Sequence, residues 1–250
     1  MLPAERHHAI LSRAKETGTV RTTELARDFG VAEETIRRDL DLLAKRGLLH
    51  RAHGGALDPS AGLPELSQNE REALQFQEKR HLSLLAASLV KAGETLLLDA
   101  SSTALELAAH LPAGVRVISY SLPVIERLAP RSDLELIQLG GVYEPKGRRF
   151  SGILTESAVL SIKVDRFFFS GRGMDLERGV SEPNPDQARL KSLMLRHAAW
   201  CCALLDHTKL GLRSDYFFAR PEDLDAVVTD PSAKSFFKGK LRALPFQLYL

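Results

Sequence analysis

Asp99-Ala100-Ser101-Ser102-Thr103 sets a carboxylate and three hydroxyls between an apolar run and an amphipathic one. Where a strand hands over to a helix, hydroxyls and the unpaired amides of the first helical turn suit a phosphate or another anion. Plain N-capping accounts for the same residues equally well. Ser119-Tyr120-Ser121, Gly140-Gly141, Ser170-Gly171-Arg172-Gly173 and Asp206-His207-Thr208-Lys209 follow other apolar runs in the same way. Gly141 permits close backbone approach, and Arg172 and Lys209 can neutralise an anion. Taken singly, each glycine also fits a turn and each cation a solvated surface. Asp99, Glu182 and Asp206 offer carboxylates for proton abstraction, but nothing in their spacing pairs a base with a positioned acid. Cap, loop or sugar-hydroxyl roles explain them, so no catalytic residue is assigned.

A second group lies near the N-terminus, where Glu34, Thr35, Arg37 and Arg38 stand within five residues. An arginine fork grips guanine O6 and N7 or clamps a phosphate, and the Thr35 hydroxyl can meet a base edge or a phosphate. The alternative is a solvated helix face on which Arg37 and Arg38 balance Glu33, Glu34, Asp39 and Asp41. Farther on, His50-Arg51-Ala52-His53-Gly54-Gly55-Ala56 has the basic, glycine-bent character of a hairpin wing, which adds Arg51, His53 and Gly54 to the candidates for DNA contact. Cys201 and Cys202 are the only cysteines. As neighbours facing opposite sides of a strand they make a poor disulfide and read as buried thiols. They supply no zinc framework, so no metal is expected, and no cofactor is called for.

These residues need elements to hold them. Ile10, Leu11 and Ala14 fit one face of a first helix ending near Gly18. Val20 opens an extended link, Thr22 or Thr23 can cap a second helix, and both are grouped with the DNA-facing set. Leu25, Ala26 and Phe29 give that helix its stripe, and Gly30 ends it. A third helix carries Ile36, Leu40 and Leu43 at i, i+4 and i+7, which turns Thr35, Arg37 and Arg38 elsewhere. Short helix, glycine turn and second helix form a helix-turn-helix, and the basic hairpin makes it winged. Residues 1–57 hold ten Lys/Arg against eight Asp/Glu, so the chain's net +2 is N-terminal.

Asp58 to Pro64 breaks the periodicity and marks the start of a linker read as 58–75. Glu65 to Lys91 is helical in pattern. Beyond Gly93, strand-like runs at 96–99, 115–119, 134–139, 166–170, 201–205 and 226–229 alternate with helical ones. That predicts an α/β domain over 76–250 built on a mostly parallel sheet. Its ligands belong at the carboxyl ends of the strands.

Thr35-Ile36-Arg37-Arg38-Asp39-Leu40 and Gly47-Leu48-Leu49-His50-Arg51-Ala52-His53-Gly54-Gly55-Ala56 together resemble the signature of the DeoR family of bacterial transcriptional regulators. The one departure there is Ala32, where the family usually has a capping serine. LLLDASST, the paired glycines, DRFFFSGRG, LKSLML and DHTKLG extend the resemblance over nearly the whole chain. It implies a C-terminal α/β domain similar to ribose-phosphate isomerases and a phosphorylated sugar as effector. Asp99, Ser101, Ser102, Thr103, Gly141, Lys191 and Lys209 are then its ligand positions, with Ser119, Tyr120 and Arg172 alongside. Tyr120 stands where an amide is usual. The spelling of several segments is closest to regulators of deoxysugar catabolism, such as fucose or rhamnose.

A cytoplasmic transcriptional regulator of a sugar catabolic operon, repressor or activator, is the resulting expectation, since no apolar run approaches the ~20 residues of a membrane span and no signal peptide is seen. Its partners are double-stranded operator DNA, a sugar phosphate and its own copies in a dimer or tetramer. Two other classes compete: an isomerase-like enzyme carrying a DNA-binding domain, and a scaffold that reads no particular DNA.

Overall fold

The computed structural model describes residues 2–45, 48–52, 54–58 and 65–250. The chain forms two compact units, Met1–Pro64 and Glu65–Leu250.

In the first unit, helix α1 (Pro3–Thr17) is followed by strand β1 (Thr19–Arg21), α2 (Thr22–Phe29), α3 (Glu33–Lys45) and the strands β2 (His50–Ala52) and β3 (Gly55–Leu57). Glycines 18 and 30 close α1 and α2 in left-handed conformation, as C-caps commonly do. Ile10, Ala14, Leu25, Ile36, Leu40 and Leu43 form its core with Leu49 and Ala56 of the wing. The three strands pair antiparallel in the order β1-β3-β2. Neither threonine caps α2. Arg21 occupies the cap position without a side-chain bond, while Thr22 is buried and its N–H donates to the Gly54 carbonyl (2.7 Å). The wing thereby satisfies one of the four unpaired N–H groups of the first turn.

The second unit opens with α4 (Gln68–Ala73) and α5 (Phe76–Ala87). The stretch expected as one helix is therefore two, broken at Leu74, which is extended, and Gln75, whose φ is +50°. Then come β4 (Thr95–Leu98), α6 (Ser102–Ala108), β5 (Arg116–Ser119), α7 (Leu122–Leu128) and β6 (Glu135–Gln138). A hairpin, β7 (Val142–Glu144) and β8 (Arg149–Ser151), leads to α8 (Ile153–Leu160) and β9 (Val164–Phe169). β10 (Gly173–Asp175), β11 (Gly179–Glu182), α9 (Pro185–His197), β12 (Ala198–Leu204), β13 (Tyr216–Ala219), β14 (Ala226–Val228), α10 (Lys234–Phe237) and β15 (Gln247–Tyr249) complete it.

Seven strands form one parallel sheet in the order β15-β14-β12-β9-β4-β5-β6. Both faces are covered, which is why its strands read as nearly continuous apolar runs. Phe167, Phe169 and Cys201 belong to one core, and Phe168 and Cys202 to the other. The two thiols are free and lie on opposite faces. The chain builds β4, β5 and β6 outward in one direction and then returns to place β9 on the other side of β4. Strand order reverses between β4 and β9, and the crevice beyond the carboxyl ends of such a pair is where open α/β sheets place ligands. A small antiparallel sheet, β10-β11-β13, rises beside that crevice.

Candidate functional site

The crevice is lined by charge. Asp99, directly after β4, is fully buried. Its Oδ1 accepts from the N–H (3.1 Å) and hydroxyl (2.5 Å) of Ser101, and its Oδ2 from the Ser170 N–H (3.1 Å) at the end of β9. One carboxylate thus bridges the two strands where their order reverses. Lys191, reaching down from α9, meets Asp99 Oδ2 at 2.8 Å and Glu182 Oε1 at 2.6 Å, and donates to the Ser170 carbonyl (2.7 Å). Burial alone would discharge this ammonium, but the two carboxylates outweigh it and hold its pKa above the ordinary range. Its role is to fasten the crevice floor.

Other cations at the rim are less closely paired. Lys209 donates to the Ser170 hydroxyl (2.7 Å), and its nearest carboxylate, Asp206, stands 3.8 Å away. Arg172 has a buried Nε without a hydrogen-bond partner among the described residues. Arg71, from α4, donates through Nη1 to the Ala100 carbonyl (3.1 Å) and through Nη2 to Gln68 Oε1 (2.6 Å), while its buried Nε also lacks a partner. Lys79 of α5 donates to the carbonyls of Arg71 and Leu74. Burial lowers the pKa of all four, and neighbouring cations add to the effect on Lys79, held at about 8 beside Lys209. Desolvated cations without matched carboxylates form a place where an incoming anion gains most.

The other expected positions are distributed around this floor. Ser101 caps α6, accepting from the Ala104 N–H at 3.0 Å, so the capping reading holds for that hydroxyl. Ser102 and Thr103 are buried, the Thr103 hydroxyl without a partner among the described residues. Ser119 donates to the Leu98 carbonyl and accepts from the Ser121 N–H, which ties β5 to β4. Tyr120 is fully buried within the core, its hydroxyl 3.3 Å from Gln187 Oε1, and burial raises its pKa. It packs beneath the crevice as an apolar residue. Gly141 has φ +148°, and a Cβ there would stand 2.3 Å from Thr155 Oγ1 and 2.4 Å from the Ser151 carbonyl oxygen. The protein's own loop requires that glycine, and Gly140 beside it faces open space. Arg71, Lys79 and Glu182 join the site although motif spacing did not single them out as ligand positions. The first two sit in a helical stretch where a lone cation looks like a solvated charge.

On the first unit, α3 exposes Glu34, Arg37 and Arg38, with Thr35 half-buried. Arg37 Nη2 lies 3.0 Å from Glu33 and Arg38 Nε 3.3 Å from Glu34, pairs one helical turn apart. Asp39 and Asp41, expected among the same balancing charges, point elsewhere. Asp39 is buried against Arg6 (2.5 and 3.2 Å) and His7 (2.8 Å) of α1. Asp41 accepts from Arg51 Nε of the wing (2.7 Å), whose Nη1 donates to the Gly55 carbonyl. Arg51 therefore braces wing to helix. Gly54 forms the exposed tip of the hairpin and Thr23 is exposed on α2, whereas His53 lies outside the described residues.

A winged helix-turn-helix with an exposed arginine face, in one chain with an α/β unit whose crevice collects cations, defines a DNA-binding regulator with a sensor unit. The chain belongs to the DeoR family of transcriptional regulators. Residues 6–60 match the DeoR-like helix-turn-helix domain, and residues 74–231 the DeoR C-terminal sensor domain. It is 35% identical over 92% of its length to an uncharacterised HTH-type transcriptional regulator, YulB, of Bacillus subtilis, covering 90% of that protein. It is 33% identical to the regulator GolR of Listeria innocua (92% of this chain, 91% of that one) and 29% identical to the glycerol-3-phosphate regulon repressor of Escherichia coli (92% of each). Among solved structures, a ribose 5-phosphate isomerase A from Methanocaldococcus jannaschii aligns with 53% of each chain at a TM-score of 0.39 and 18% identity. Among the described residues, no helix is long and apolar enough to cross a membrane.

Proposed function

We propose that this protein is a repressor of an operon for sugar or polyol phosphate use, and that the phosphorylated compound binds in the crevice between β4 and β9. The observation that carries this reading is the cluster Arg71, Lys79, Arg172 and Lys209. These are desolvated cations, under-supplied with carboxylates, at the point where strand order reverses. Lys209 and Arg172 take the phosphate, Asp99, Lys191 and Glu182 hold the loops that frame it, and Ser102, Thr103 and the backbone at Gly140 and Gly141 serve the sugar end. A relative named for glycerol 3-phosphate accords with that chemistry. The chain acts as a sensor and not as an isomerase: Asp99 has both oxygens occupied, Glu182 is paired with Lys191, and Asp206 accepts from Thr208, so each of these three carboxylates is already engaged. Deoxysugar phosphates are the favoured subset, because Tyr120, buried with its hydroxyl engaged by Gln187, leaves no free amide there to hydrogen-bond a further sugar hydroxyl. Copies of the chain pair on DNA so that two α3 helices read two half-sites.

Binding to the chain's own upstream DNA, at fixed salt and with a panel of sugar, deoxysugar and polyol phosphates, tests this. Release of specific DNA by one phosphate and not by its unphosphorylated parent is expected. Turnover of any of these compounds, or specific DNA binding that none of them changes, overturns the sensor reading.

A further inference from the structure

Residues 65–73 carry a feature that the two family matches do not reach, since those stretches end at residue 60 and resume at 74. This segment follows residues 59–64 in the chain and is fastened to the sheet rim at three points. Glu65 meets Arg149 Nη2 at 2.6 Å and accepts from Asn184 (3.1 Å), the Gln68 N–H donates to the Lys146 carbonyl (3.0 Å), and Arg71 donates to the Ala100 carbonyl. Ala100 lies between Asp99 and Ser101, so Arg71 sits on the loop that frames the crevice. The Arg149 guanidinium is shared between Glu65 and Glu144 (2.7 Å), but among the described residues Arg71 has no carboxylate within ion-pair distance. Its side-chain acceptor, Gln68, is a neutral amide, and its buried Nε has no partner among the described residues. A guanidinium bound through two neutral oxygens, with a third donor desolvated and unused, is short of an anion. Lys79 completes the arrangement by capping the carbonyl end of α4, which fixes the helix that aims Arg71.

We infer that Arg71 binds the anionic group of the effector directly, so that occupancy of the crevice tightens α4, the first helix after residues 59–64, onto the sheet. This rests on the crevice being the effector site. It adds a binding residue from a segment otherwise read as linker, and gives the ligand a hold on the part of the chain that leads in from the DNA-binding unit.

Inorganic phosphate is the probe, titrated by calorimetry into the full-length protein, with hydrogen exchange followed over 68–74. Phosphate should slow exchange there in the unaltered protein. Arg71→Gln should lower phosphate affinity about tenfold or more and abolish the slowing, with exchange over 68–74 the same in the presence and absence of phosphate. Arg71→Lys, which keeps the charge and the stem but not the fork, should fall between the two. If Arg71→Gln binds phosphate as tightly as the unaltered protein while Lys209→Ala does not, the inference fails and the crevice reading stands. If the unaltered protein binds no phosphate, both fail. Should Arg71→Gln not fold, undiminished affinity and slowing in Arg71→Lys overturn the inference.

Discussion

Asp39 lies on the face of α3 turned away from its exposed arginines, and its setting explains why the helix stays where it is. Burial opposes its ionisation, but hydrogen bonds from Arg6 and His7 outweigh that and hold its pKa below the usual carboxylate range. A carboxylate depressed in this way stabilises the fold above its unfolded pKa, and the contribution is lost as pH falls through the folded value. The first unit should therefore loosen only below about pH 4 from this group. Asp39→Asn should cost about 3–5 kcal/mol, because it strands Arg6 in a buried position; hydrogen exchange of α1 and α3 amides in the full chain measures it. Arg37 poses a different question, since base readout and phosphate clamping leave different signatures. Arg37→Ala should lower specific DNA affinity by about tenfold. If the arginine clamps a phosphate, the slope of log affinity against log salt also falls by about one, whereas a base contact leaves the slope and relaxes sequence preference. Lys79 gives a pH signature of its own. Held at about 8 by burial and by Lys209, it is partly neutral in mildly alkaline buffer. Its unfolded pKa is higher, so the folded second unit gains stability as pH rises through 8 towards 10.5. An anion in the crevice restores the proton. Sugar-phosphate affinity should thus weaken from pH 7.5 to 9.5 and binding should take up protons, which calorimetry in buffers of different ionisation enthalpy detects. A pH-independent affinity with no proton uptake would remove Lys79 from the site.

At the level of elements, the sequence was most legible where burial is two-sided or periodic. Six strands of the parallel sheet stood out because both faces need apolar residues, as in Val164–Phe169. β15, β7 and β8 did not, because three-residue strands that are only partly buried carry too little pattern to separate from loops, whereas the equally short β14 is buried throughout. The antiparallel β10-β11-β13 sheet was hidden by glycines and charges that looked like turns. The break at Leu74 and Gln75 left no proline or glycine to mark it, since Lys79 supplies the C-terminal bonds instead. In the crevice, residues next to strand ends were readable, but Arg71 was not, because its partner loop is 29 residues away in sequence. The departure from the family signature in the DNA-binding unit has a measurable consequence. Ala32 stands where α3 needs its cap: its carbonyl accepts from Thr35 (2.9 Å) and Ile36 (3.3 Å), yet it brings no side-chain acceptor. Ala32→Ser should add about 1 kcal/mol to the first unit. An unchanged exchange rate for the α3 amides would mean that Glu33 and Glu34, through the helix dipole, already satisfy this end.

For the whole molecule, the crevice and the exposed face of α3 lie in different units, so any effect of one on the other is a coupling free energy and must be reciprocal. An effector acts only through its different affinities for the DNA-competent and incompetent states. If the sugar phosphate weakens operator binding by a given factor, saturating operator DNA must weaken sugar-phosphate binding by the same factor, typically about 5- to 150-fold. Lys209→Ala separates the two functions. Removing the charge that meets the anion should lower sugar-phosphate affinity about tenfold or more and leave operator affinity without effector unchanged. The coupling factor itself should survive once ligand is raised to saturation, because the alanine removes binding energy common to both states. Arg37→Ala should behave in the opposite way, with weaker DNA binding, unaltered ligand affinity and the same factor. Titrating DNA at several ligand concentrations for the two variants and their combination measures all three quantities. Additive losses with a constant factor identify two sites joined by one conformational equilibrium, whereas equal loss of DNA binding and ligand binding in Lys209→Ala would mean that the crevice supports the fold and does not sense.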